Sequence, residues 1–258
     1  MKKASAAGLV VCTAAILSIA VPRSPAQDHH DDPAHSWTYS GDHGPEHWGD
    51  LSPEFAACAK GKVESPIDIT GPHAAALPPL HFAYHSSPLK IIDNGHTIQI
   101  NYAPGSTLTV GGKTYELAQF HFHHPSEEEI NGQHYAMVAH LVHKNSEGKL
   151  AVVAVLIKEG SPNQLVNTLW DNLPPEKGKE LDKDEVEVHV TDLLPANHRY
   201  YTFPGSLTTP PCSEGVTWYV LATPMSLSKA QIDKFASFYP LNARPIQPLH
   251  HRKVEVSK

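Results

Sequence analysis

Thr107-Leu108-Thr109-Val110, Gly111-Gly112 and Lys113-Thr114-Tyr115-Glu116-Leu117-Ala118-Gln119-Phe120-His121-Phe122-His123 form the stretch that decides the fold. Two β-type runs on either side of a two-residue glycine loop read as a hairpin. Its second run ends in strict alternation. On a strand alternate residues share a face, so Gln119, His121 and His123 point one way. Phe120, Phe122 and His124 point the other way, toward a core or another element. Two imidazoles two residues apart on one strand face can converge on a single metal ion.

Further strands surround this hairpin. Thr97-Ile98-Gln99-Ile100-Asn101-Tyr102 alternates with period two. Tyr135 to His143 and Lys149 to Lys158 read as a second hairpin about Asn145-Ser146-Glu147-Gly148. Glu185 to Val190 and Val216 to Ala222 add two more runs. Helical signals are few. Asn163 to Leu173 carries Leu165, Val166, Leu169 and Trp170 at helical spacing, and Ser228 with Gln231 forms a capping box ahead of Ile232, Phe235 and Ala236. The 23 prolines predict long ordered connections around one large sheet. No repeat and no shift of composition marks a second domain.

The chain has 258 residues, 40% of them hydrophobic and 18% charged, enough for one well-packed domain. Its formal charge of −7 argues against nucleic acid as a partner, because no basic stripe is present to neutralise phosphates. Among the 19 histidines, His29, His30, His35, His250 and His251 read as solvated tail residues. Residues 1–26 read as a signal peptide: Lys2 and Lys3, an apolar run from Ala6 to Val21, and a small-residue cleavage site at Ser24-Pro25-Ala26. The run is too short, and too interrupted by Thr13 and Ser18, for a membrane anchor. Cys12 follows bulky Val11 and lies too early for lipid attachment. Residues 27–36 are a polar flexible leader, and a single domain is expected over 37–258. Export into an oxidising compartment, the periplasm, leaves Cys58 and Cys212 as an even pair and predicts a disulfide.

His140 shares a face with Val138 and Val142, and supplies a third nitrogen if its strand pairs with the His121 strand. Three histidines without a thiolate favour a catalytic zinc with one position left for water. His121-x-His123-x-x-x-Glu127 also fits the first metal motif of cupins, which would suit iron or manganese. His140 follows Glu127 too soon for the rest of that pattern.

Downstream residues separate these readings. Gly205-Ser206-Leu207-Thr208-Thr209-Pro210-Pro211 followed by Val216-Thr217-Trp218 resembles the active-site loop and strand of alpha-class carbonic anhydrases. So do Ser65-Pro66-Ile67-Asp68-Ile69, Asn94-Gly95-His96, Tyr39 with Gly44-Pro45-Glu46-His47-Trp48, and Asn242-Ala243-Arg244-Pro245. The resemblance runs from about Trp37 to Pro248. It implies a mainly β (α+β) single domain: a central, mostly antiparallel twisted sheet of about ten strands with short peripheral helices. It also implies a lyase with Zn2+ as cofactor, carbon dioxide and bicarbonate as small-molecule partners, and a homodimer among the allowed states.

Carried over by position, the resemblance assigns zinc to His121, His123 and His140. Attack by zinc hydroxide on carbon dioxide is oriented by Thr208, whose own proton goes to Glu127. Carbonic anhydrase is itself the reference case for a zinc-bound water with a pKa of about 7. Val142, Val152, Leu207 and Trp218 match the hydrophobic substrate wall, and Thr209 lines the polar side. His96 matches the proton shuttle; Tyr39, Asn94 and Gln99 match residues that order its waters. Gln119 and Asn242 stand behind the ligands. Three positions depart from the family's pattern. Val138 replaces a glutamate that orients the third histidine, Glu64 replaces glutamine, and Ala243 replaces tryptophan. A substitute acceptor for His140 is therefore expected, since an unsatisfied buried N–H is costly. The alternative function is a non-enzymatic periplasmic zinc-binding or recognition module on the same fold.

Overall fold

The computed structural model describes residues 36–258, so the expected signal peptide and all but the last residue of the expected leader lie outside the described residues. The strands are β1 (Asp68–Ile69), β2 (His73–Ala75), β3 (His81–Ala83), β4 (Ser87–Asp93), β5 (Ile98–Asn101), β6 (Thr107–Val110), β7 (Lys113–His123) and β8 (Glu129–Ile130). They continue with β9 (Gln133–His134), β10 (Met137–Lys144), β11 (Leu150–Glu159), β12 (Glu180–Val188), β13 (Tyr200–Ser206), β14 (Glu214–Leu227) and β15 (Glu255–Ser257). Four short helices, α1 (Trp48–Leu51), α2 (Ala57–Lys60), α3 (Gln164–Asp171) and α4 (Lys229–Phe238), lie outside the strands. Among the described residues, no helix is long and apolar enough to cross a membrane.

Twelve strands form one sheet, in the order β12-β4-β5-β7-β10-β11-β14-β13-β15-β2 with β3 and β6 attached beside β7. β1, β8 and β9 make a separate small sheet. Pairing in the large sheet is antiparallel except between β11 and β14 and between β15 and β2. β11 reads Ala151-Val152-Val153-Ala154-Val155-Leu156-Ile157, apolar on both faces, and every one of these residues is buried. A strand covered on both sides has no need of alternation, and its partner β14 runs parallel to it.

The two faces of the sheet differ. Phe120, Phe122, Ile98, Ile100, Leu141, Val153 and Val155 pack on the back, against Leu165, Leu169 and Trp170 of α3 and Phe235 of α4. Burying each such side chain stabilises the fold by roughly 1.5–3 kcal/mol. A smaller front cluster gathers Val138, Val152, Ala154, Leu156, Phe203, Trp218 and Val220. The histidines lie on this front face.

The hairpin about Gly111-Gly112 has the expected bounds, and both glycines have positive φ, 56° and 76°. The second hairpin turns at Asn145–Lys149, where Asn145 Oδ1 accepts from Glu147 N and Lys149 N. Asn163 caps α3, and the Ser228–Gln231 capping box opens α4. The main path of the sheet has the ten strands expected, and β3 and β6, attached off that path, bring the sheet to twelve. β12 begins at Glu180, ahead of the expected Glu185, and pairs along the edge with β4.

Candidate metal centre

Strand register assembles the site. β10 pairs antiparallel with β7 so that His140 faces His121 and Val138 faces His123. On the other flank of β7, Gln99 of β5 faces His121. Directly opposed residues share a face, which brings three imidazoles together with ring centroids 5.0, 5.5 and 4.7 Å apart. One nitrogen from each of His121, His123 and His140 lies within 4.8 Å of the others, a group that could hold a metal ion.

The remaining nitrogens fix which ones are free to bind. His121 Nδ1 lies 2.8 Å from Gln119 Oε1, and His123 Nδ1 lies 2.7 Å from the backbone oxygen of Asn242. His140 Nε2 lies 3.1 Å from Glu128 Oε1 and 3.3 Å from Oε2. Each acceptor requires an N–H, so the lone pairs of His121 Nε2, His123 Nε2 and His140 Nδ1 face the common gap. His123 Nε2 is buried with no hydrogen-bond partner. Burial holds His121 down to about 3, and His123 well below its ordinary value, so both are neutral imidazoles at neutral pH. Burial opposes a charge on His140 too, but the Glu128 and Glu127 carboxylates outweigh it and raise its pKa. An orphaned buried nitrogen facing two further lone pairs, with no thiolate in the group, fits a divalent metal with nitrogen ligands.

Glu127 borders the same gap, fully buried, with Oε2 3.5 Å from His123 Nε2 and 3.7 Å from His140 Nδ1. Arg244 N donates to its Oε1 at 2.8 Å. Burial pushes Glu127 up to about 7, although His140, the Arg244 N–H and the Thr208 hydroxyl pull it back. Arg244 itself is buried. Its guanidinium donates to Glu64 Oε2 at 2.7 Å, to the Ser65 carbonyl at 2.8 Å and to the Cys58 carbonyl at 3.0 Å. The departure at Glu64 thus makes a buried ion pair whose guanidinium has further acceptors. Gly205 lets the Thr208 loop approach, because a Cβ there would collide with Ser65 Oγ and the Trp218 ring.

The front face is divided along one row of opposed residues. It runs Asn101, Gln119, Val142, Val152, Trp218 and Phe203, polar on one side of the histidines and apolar on the other. Leu207 packs against this apolar side, and Thr208 is buried while Thr209 is half-buried. His96 sits at the polar rim. It stacks on Trp37 with centroids 3.6 Å apart, and Trp37 meets Tyr39 edge-on at 5.3 Å. Asn94 Oδ1 accepts from His96 N, Asn94 Nδ2 donates to Gln99 Oε1 at 3.4 Å, and Asn242 Nδ2 donates to the His96 carbonyl. Asn242 also accepts from His124 N, which fixes the carbonyl that His123 uses.

All the candidate site residues read from the sequence converge on this front face or its rim, and Cys58 is bonded to Cys212 nearby. Three residues were not singled out: Glu128, Arg244 as a hub, and Trp37 beneath His96. For Glu128 a signal existed. Glu127-Glu128-Glu129 offers three carboxylates with a role for only one, and Val138 leaves an acceptor to be found.

Residues 43–258 match the model of the eukaryotic-type carbonic anhydrase family. A carbonic anhydrase of Nostoc sp. is 44% identical over 224 residues, 85% of each chain. One of Pectobacterium carotovorum is 46% identical over 217 residues, 84% of this chain and 88% of its own. Among solved structures, the alpha-carbonic anhydrase of Thermovibrio ammonificans, in complex with sulfanilamide, superposes with a TM-score of 0.83 at 43% identity, covering 87% of this chain and 99% of that one. On these matches and this geometry, the chain belongs to the eukaryotic-type, or alpha, carbonic anhydrase family.

Proposed function

We propose that the chain hydrates carbon dioxide reversibly to bicarbonate and a proton at a zinc ion held by His121 Nε2, His123 Nε2 and His140 Nδ1. The observation that carries this reading is the convergence of three imidazole nitrogens, each on a ring whose other nitrogen has an acceptor. Zinc supplies Lewis acidity, which lowers the pKa of water to about 7, the value for which carbonic anhydrase is the reference case. The chain's own groups do the rest. Thr208 can accept a hydrogen bond from the attacking oxygen only if its own proton points elsewhere, and Glu127 is the acceptor beside it. Carbon dioxide, linear and apolar, is held against Val142, Val152, Leu207 and Trp218, while Thr209 lines the polar side. His96 carries the released proton to solvent, with Tyr39, Asn94 and Gln99 ordering the path. Gln119 and Asn242 keep the ligand tautomers. Export to the periplasm goes with this reading, and the Cys58–Cys212 bond suits an oxidising compartment.

The test is stopped-flow hydration on metal-analysed protein, with and without chelator, for the parent and His121→Ala. The parent should hold one zinc per chain and lose activity with it; His121→Ala should lose both. Stoichiometric zinc with negligible hydration would favour the zinc-binding or recognition module instead. Full activity in zinc-free protein would defeat the assignment.

A further inference from the structure

Where the family resemblance expects a carboxylate behind the third histidine, this chain has Val138, which is fully buried in the front apolar cluster and can accept no hydrogen bond. His140 nonetheless has an acceptor. Both oxygens of Glu128 lie within hydrogen-bond reach of its Nε2, at 3.1 and 3.3 Å. Glu128 is itself fully buried, and among the described residues no lysine or arginine pairs with it. A buried carboxylate without a cationic partner is costly unless something nearby compensates it. An imidazole N–H polarised by a metal on the opposite nitrogen is such a group.

The backbone of Glu128 is pinned from several sides. Ser126 Oγ donates to the Glu128 carbonyl at 2.8 Å and accepts from Tyr135 N at 2.8 Å. Ser126 N donates to the Tyr135 carbonyl at 3.0 Å, and Glu129 N to the Ile67 carbonyl at 3.3 Å. The loop after β7 therefore presents the carboxylate from a fixed place.

We propose that Glu128 is the positioning residue for His140, doing from the β7–β8 loop what a strand carboxylate at position 138 would do, and that the metal's retention depends on it. The inference rests on the zinc site proposed above.

The test is zinc competition with a chelator, reading affinity and release rate, for the parent, Glu128→Gln, Glu128→Ala, Val138→Glu and the double variant Glu128→Ala/Val138→Glu. Glu128→Ala should weaken retention by about 10–100-fold, the usual effect of removing such a partner. Glu128→Gln, which keeps an acceptor but not the charge, should lose less. Val138→Glu alone should gain nothing, because two carboxylates would compete for one N–H. In the double variant the strand carboxylate should recover most of the lost affinity, which a merely structural role for Glu128 would not produce. Folded Glu128→Ala that retains zinc within about twofold of the parent would overturn the proposal. So would a folded double variant no better than Glu128→Ala. If the variants do not fold, nitrogen-15 NMR of the zinc-loaded parent decides. His140 protonated on Nε2, with slow exchange of that proton, supports Glu128; protonation on Nδ1 overturns it. Failure of the parent to bind zinc through its histidines would remove the zinc reading and Glu128 together. A zinc-bound parent matched by Glu128→Ala would remove Glu128 alone.

Discussion

His96 lies flat on Trp37, 8° from parallel, with its main chain tied to Asn94 and Asn242. Half-buried at the rim, it is the residue proposed to carry protons between the site and buffer. His96→Ala should slow turnover in weak buffer on the order of 100-fold while leaving kcat/KM for carbon dioxide nearly unchanged, because proton export follows the chemical step. Added imidazole should restore the rate; an equal fall in both parameters without rescue would put His96 outside proton export. His121 makes a second prediction, on pH. Burial lowers its pKa from 6.5 to about 3 in the metal-free fold. A depressed folded pKa contributes stability that is present above the unfolded value and lost as pH falls toward the folded one. Chelator-treated protein should therefore lose about 2 kcal/mol through this residue between pH 7 and pH 5. The raised pKa of His140 acts in the opposite sense. Denaturant titrations of metal-free parent and His121→Asn at the two pH values isolate the effect, and the variant should show the smaller acid loss. Equal losses would mean that His121 is not kept neutral by burial.

At the level of elements, α3 tests the separation of the two faces. Asn163 Oδ1 accepts from Val166 N at 3.1 Å, and its Nδ2 donates to the Asp192 carbonyl at 2.8 Å. The helix covers the back of the sheet, where Trp170 meets Phe122 at 5.2 Å, away from the histidine face. Asn163→Ala should cost about 1 kcal/mol, read as a lower denaturant midpoint, with zinc content and hydration unchanged. Loss of activity at full folding would show that the back face feeds the site. This helix, its cap, the α4 capping box and the β6–β7 hairpin were legible because each carries a local signal: a capping side chain, a reciprocal Ser–Gln pair, two glycines at positive φ. The histidine face was legible too, since period two alone puts His121 and His123 together. β12 was read late because Glu180-Leu181-Asp182-Lys183-Asp184-Glu185 is charged, as suits a sheet edge exposed to water. β2, β3 and β15 have three residues each, too few to show a period, and only their partners define them. Glu128 escaped notice for a related reason. In a loop no parity rule says where a side chain points, and only the tethers through Ser126 aim it at His140.

Among the described residues, one disulfide ties the stretch after the Thr208 loop to the segment containing α2. Cys58 in α2 and Cys212 beyond the Thr208 loop are 154 positions apart, with Cα atoms separated by 5.1 Å. Cys212 has φ of 56°, an unfavourable conformation for a side chain with a Cβ, and its N–H closes a turn onto the Thr209 carbonyl at 2.8 Å. On the other side of the bond, the Cys58 carbonyl accepts from Arg244, whose backbone N–H holds Glu127. The disulfide thus braces both flanks of the Thr208–Glu127 pair as well as closing a long loop. In the chain-entropy model, closing a loop of this length contributes about 5 kcal/mol, chiefly by restricting the unfolded chain. At roughly 2–4 °C per kcal/mol for a domain of this size, reduction should lower Tm by about 10–20 °C. Hydration should fall as well, because the loop carrying Thr208 loses its tether, while the three histidines on β7 and β10 keep their strand register and the metal proposed for them. Calorimetry, metal analysis and stopped-flow hydration on the oxidised protein, the reduced protein and Cys58→Ser/Cys212→Ser would measure all three. An unchanged Tm after complete reduction would reject the stabilising role. A lower Tm with full hydration at 25 °C would confine the bond to the fold and leave the Thr208 loop to hold its own shape.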